Sequence, residues 1–77
     1  MKVRQIRFFQ NQRPFEPFAV HLADARYFEI RHPDAVFVLP DDDRTVSIMN
    51  KDGLIEVVDL LMITSLRPLN AKEIKIR

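Results

Sequence analysis

The spacing of hydrophobic positions changes along this chain, and each change predicts a change of element. Over Met1–Gln12, Val3, Ile6 and Phe9 recur at three-residue intervals, while Lys2, Arg4 and Arg7 fall mostly on other faces. That pattern predicts a short amphipathic helix, although so brief a segment leaves a strand reading open. Pro14 and Pro17 halt any helix and push the residues before them towards extended backbone. From Phe18 the period is two. Phe18, Val20 and Leu22 alternate with Ala19, His21 and Ala23, and then Phe28 and Ile30 alternate with Tyr27, Glu29 and Arg31. With a turn at Asp24-Ala25-Arg26, this predicts a hairpin with one apolar and one polar face.

His32-Pro33-Asp34 punctuates the chain again, and Ala35–Leu39 is an unbroken apolar run, as expected of a strand buried on both faces. Pro40 and the aspartates Asp41, Asp42 and Asp43 end it. Thr45–Met49 alternates with Val46 and Ile48 inward, Asn50-Lys51-Asp52-Gly53 is the clearest turn, and Leu54–Val58 is the return strand. The only glycine of the chain falls in that turn, where a positive φ is wanted. Asp59 can cap a brief helical turn through Met62. Ile63–Arg67 reads as a last strand, and Leu69–Arg77 as a short tail in which Ile74 and Ile76 alternate. The expectation is a mainly β chain forming one small domain over 1–77. It has a basic helix over 1–13, a small barrel of five to six short antiparallel strands over 15–67, and a basic tail over 68–77. The expected core is Phe18, Val20, Leu22, Phe28, Ile30, Val36, Val38, Val46, Ile48, Ile55, Val57 and Ile63.

Composition narrows the class. A chain of 77 residues buries only roughly 60% of its unfolded surface, so its stability margin is thin without staples or partners. Without cysteine it has neither disulfides nor thiolate metal sites. Apolar residues at 47% and charged residues at 30% indicate a globular balance. No apolar run approaches the ~20 residues of a bilayer span and no signal peptide is visible, so the expected location is cytoplasmic, away from membranes. The net charge of +1 conceals an asymmetry. Met1–Arg13 carries Lys2, Arg4, Arg7 and Arg13 with no acid, for +4. Pro14–Leu66 sets four bases against ten acids, for −6, and Arg67–Arg77 sets four bases against Glu73, for +3. Basic ends can meet phosphate, or they can meet an acidic body in the same chain or a neighbour.

Candidate chemistry is sparse. Asp41, Asp42 and Asp43 are adjacent but follow a proline in a turn, a solvated setting rather than a paired-carboxylate pocket, and Asp41–Gly53 lacks the order of a calcium loop. His21 and His32 fall on opposite faces of the hairpin by strand parity, which does not suit zinc. Thr45, Ser47, Thr64 and Ser65 sit in strand patterns with no glycine elbow to raise a hydroxyl, and one glycine cannot build a phosphate-cradling loop. The expectation is therefore no enzyme, no cofactor and no metal. Phe8, Phe9 and Phe15 lie among Arg4, Arg7 and Arg13, a mixture that could serve a single strand of nucleic acid, but a domain this small needs those rings in its core, which favours a helix packed through Phe8 or Phe9 with arginine stems at its edge.

The stretch Arg13–Pro40, with Val57–Leu69, resembles a family of small uncharacterised bacterial proteins. The resemblance lies in Arg13-Pro14-Phe15, His21-Leu22, Arg31-His32-Pro33 and Asp59-Leu60-Leu61, and it implies no particular function. The order of helix, meander, brief helical turn at Asp59–Met62 and final strand also resembles Sm-like and other SH3-type barrels, among them the bacterial RNA-chaperone branch. Three departures accompany it. Asp24-Ala25 stands where Sm-like proteins favour glycine, Val57-Val58-Asp59 stands where their basic, histidine-bearing pore motif would be, and Thr45–Met49 makes one strand too many.

Two functions follow. The first is a non-enzymatic interaction module that forms homo-oligomers or docks on a protein partner through exposed strand edges. The alternative is Sm-like binding of RNA or single-stranded nucleic acid through the basic termini, with Lys2, Arg4, Arg7, Arg13, Lys72, Lys75 and Arg77 as contacts.

Overall fold

In a computed structural model, which describes residues 1–69, the N-terminal three-residue spacing does become a helix, α1 (Val3–Gln10). The Lys2 backbone N–H donates to Gln5 Oε1 at 2.8 Å at its start, and the Asn11 N–H closes on the Arg7 carbonyl at its end. Ile6 is its one fully buried side chain, with Val3 and Phe9 packed against the same core. Gln10 Nε2 donates to the carbonyls of Pro33 and Val36 at 2.8 and 2.9 Å, which ties the end of the helix to the middle of the chain.

Six strands follow among the described residues: β1 (Phe18–Leu22), β2 (Tyr27–Ile30), β3 (Val36–Phe37), β4 (Thr45–Met49), β5 (Ile55–Asp59) and β6 (Ile63–Pro68). They form two antiparallel three-stranded sheets, ordered β2-β1-β6 and β3-β4-β5. The chain crosses between the sheets at two corners. One is His32 with the 3-10 turn Pro33–Ala35, between β2 and β3. The other is the 3-10 turn Leu60–Met62, between β5 and β6, where the Asp59 carboxylate accepts from the Leu61 N–H at 2.8 Å, the cap that the sequence predicts. The Leu60 N–H donates to the Arg44 carbonyl and the Ala23 N–H to the Met62 carbonyl, so this corner is stitched to both sheets.

The inner faces of the sheets meet in one cluster. Phe18, Val20, Leu22, Phe28, Ile30 and Ile63 contribute from one sheet, Val36, Val46, Ile48 and Val58 from the other, and Ile6 and Leu60 close the ends. The sequence reading places most of this core but is wrong about β5. Ile55 and Val57 point outward, 50% and 68% exposed, and Val58 is buried instead. Register explains the inversion: Val46 pairs with Val58 and Ile48 with Glu56, so the inward parity of β4 selects the even-numbered residues of β5. Val38 is only partly buried, packed against the core from outside. The run Ala35–Leu39 is not a strand covered on both faces either. Only Val36–Phe37 is strand, and Phe37 and Leu39 are exposed. Among the described residues no helix is long and apolar enough to cross a membrane.

Candidate functional site

Three aspartate and asparagine side chains shape the turns, which sets the limits of any surface site. Asp42 is half-buried rather than merely solvated: its carboxylate accepts from the N–H groups of Arg44 and Thr45 at 2.8 and 3.1 Å and from Thr45 Oγ1 at 2.6 Å. The Thr45 hydroxyl foremost, then the Arg44 and Thr45 amides, hold its pKa below the ordinary carboxylate value. Asp24 is lowered in the same way, by the Arg26 backbone N–H and then by the Arg26 guanidinium at 2.9 Å. Asn50 Oδ1 accepts from the Asp52 and Leu54 amides, and Asn50 Nδ2 donates to Glu56 at 3.1 Å. Glu56, at the inward parity of β5, also lies 3.6 Å from Arg26, an ion pair joining the two sheets.

The predicted nucleic-acid contacts are partly brought together. Arg4 and Arg7 share one exposed face of α1 with Phe8, at i, i+3 and i+4, and Phe8 is 64% exposed. Lys2 is exposed at the helix start. Arg13 is exposed beyond the end of the helix, its guanidinium turned to the Gln12 carbonyl at 3.2 Å. None of these four bases pairs with an acid among the described residues, where the ion pairs involve Arg26 and Arg31. Lys72, Lys75 and Arg77 lie outside the described residues. Phe9 and Phe15 pack around Phe18 in tilted and edge-to-face contacts, with ring centroids at 5.2 and 6.1 Å, so of the three candidate stacking rings only Phe8 faces water. Beside it, a groove of about 630 Å³ runs between α1 and β6, lined by Met1, Arg4, Phe8, Phe9, Ser65 and Leu66.

A second surface lies on the outer face of the β3-β4-β5 sheet and is absent from the sequence reading. Register sets Phe37, Ser47 and Val57 in one outward row and Met49 and Ile55 in the next. Phe37, Met49, Ile55 and Val57 are all exposed. At the far end of this face Thr45 pairs with Asp59, and the loop before Thr45 carries exposed Asp41 and Asp43. The signal lay in Leu54–Val58, where apolar residues occupy both parities and the pairing with β4 decides which face they take.

Around the turns, Arg26, Tyr27, Asn50, Lys51 and Glu56 line an open cleft of about 560 Å³, with Tyr27 stacked on His21 at 5.3 Å. No polar or charged side chain is buried, and no three His, Asp or Glu residues converge on a metal-sized site among the described residues. Comparison with protein-family models, with curated proteins and with solved structures finds no match.

Proposed function

We propose that this chain is a non-enzymatic interaction module that associates with further copies of itself. The observation that carries this reading is the outer face of the β3-β4-β5 sheet, where four large apolar side chains stand in water beside a β5 edge that pairs with no further strand among the described residues. Exposed apolar sheet surface of this kind marks an interaction site. A small core supports the same reading, since association adds burial to a thin margin. The architecture of the proposal is a small curled barrel of SH3 or Sm-like type. In support, β2 and β3 are consecutive segments bent at His32-Pro33, so that counting them as one strand removes the extra strand of the sequence reading. The final strand β6 returns to pair with β1.

Size-exclusion chromatography with light scattering tests the function. The wild-type chain should run at a multiple of its own mass. Val57→Glu should run lighter, while its unfolding free energy, measured dilute enough for wild type to run as one chain, stays within about 0.5 kcal/mol of wild type, because Val57 lies outside the core. A wild-type mass of one chain at every concentration overturns the reading. Exposure of Phe8 beside Arg4 on α1 favours a second reading, nucleic-acid binding by α1. It requires a labelled oligonucleotide to bind at low salt and to be lost with Phe8→Ala.

A further inference from the structure

We infer that copies of this chain join head to tail, with the Arg4, Arg7 and Phe8 face of α1 in one copy docked on the outer face of the β3-β4-β5 sheet in the next. The inference rests on the self-association proposed above and names its two surfaces.

Each surface holds what the other lacks. The helix face presents an exposed ring with two cations N-terminal to it, neither with an acidic partner among the described residues. The sheet face presents an apolar platform, Phe37, Met49, Ile55 and Val57, which ends in Asp59 and the exposed Asp41 and Asp43 with only Arg44 nearby in sequence. A flat ring laid on apolar sheet surface buries area efficiently, and nearby arginines placed over carboxylates fix its orientation and speed encounter. Within one copy Arg7 and Phe37 border one pocket, but Arg4 and Phe8 line the separate groove beside β6, so the exposed ring does not reach its own sheet platform. Ile6 anchors α1 in the core and Gln10 ties its end to Pro33 and Val36, so the helix that covers a sheet face comes from a second molecule. Pairing two sheet faces instead would leave Phe8 and its arginines in water and the acids without their counter-charge. A contact between two different patches is heterologous, and it builds a closed ring or an open chain of copies.

Charge reversal tests this on the full chain. R4E/R7E alters only the helix face, and D41K/D43K only the acidic end of the sheet face, leaving the Asp42 cap intact. All four positions are exposed, so near-ultraviolet spectra, and urea midpoints measured dilute enough for wild type to be monomeric, should match wild type. Sedimentation velocity should show each variant alone associating at least about tenfold more weakly than wild type. An equimolar mixture should regain assembly, because each variant then meets the complementary charge on the other, and a chain carrying all four changes should associate again by itself. Monomeric wild type overturns both this inference and the function it rests on. Associated wild type that ignores R4E/R7E, or variants that stay apart on mixing, overturns the head-to-tail contact alone. Loss of association on removing residues 70–77, with the charge variants unaffected, gives the sheet face to that segment and overturns the contact. Nucleic-acid absorbance that disappears in R4E/R7E without a change in protein mass assigns the helix face to nucleic acid, with the same consequence.

Discussion

At φ +75°, Ala25 turns the β1–β2 hairpin in the left-handed region while carrying a side chain. That geometry costs a Cβ-bearing residue about 1–2 kcal/mol, and glycine gives back only about 0.5–1 of it through its freer unfolded chain. Ala25→Gly should therefore raise stability by about 0.5 kcal/mol, a gain of roughly 2–4 °C in thermal unfolding. Gly53 is the mirror experiment. Its φ is +82° and a Cβ there would meet nothing within 4 Å, so Gly53→Ala should lose about 0.5 kcal/mol, the same balance of backbone strain against unfolded-chain entropy in reverse. Asp42 makes stability depend on pH. Its folded pKa is depressed, so its contribution is present above the ordinary carboxylate value and is lost as pH falls through the folded one. Urea midpoints measured near pH 6 and near pH 3 should fall further in wild type than in Asp42→Asn. Equal falls would mean that the Thr45 and Arg44 hydrogen bonds do not favour the carboxylate.

At the scale of elements, β5 separates what could be read from what could not. The hairpin, the Asn50–Gly53 turn, the Asp59 cap and the helix are each written in local spacing, and all of them form. β5 carries apolar side chains at both parities, and only its pairing with β4 decides which of them face inward. Because register is a property of two segments, a single strand read alone gives the wrong face, and with it the apolar outer surface goes unseen. The basic residues of α1 are legible in the sequence, whereas the apolar outer face of the β3-β4-β5 sheet is not. Paired substitutions check the register: Val58→Ala should cost about 2 kcal/mol and Val57→Ala less than about 0.5. Similar costs at the two sites would refute the inward parity. Ile6→Ala should cost about 2–5 kcal/mol, since it is the one fully buried side chain of α1.

For the whole molecule, coupling between folding and association gives a direct prediction. If association covers the outer sheet face, the thermal midpoint of wild type rises with protein concentration, and that of Val57→Glu stays level. Scanning calorimetry across a hundredfold concentration range separates the two. The order of strands has another consequence. β1 lies between β2, its neighbour along the chain, and β6, the last strand described. During synthesis the β1–β2 hairpin can form as soon as both strands have left the ribosome. The other edge of β1 stays open, and Phe18 and Val20 lack part of their cover, until β6 also emerges. The open edge of β1 thus closes only when β6 arrives, and joining two segments so far apart in the chain is the loop closure that costs the most entropy.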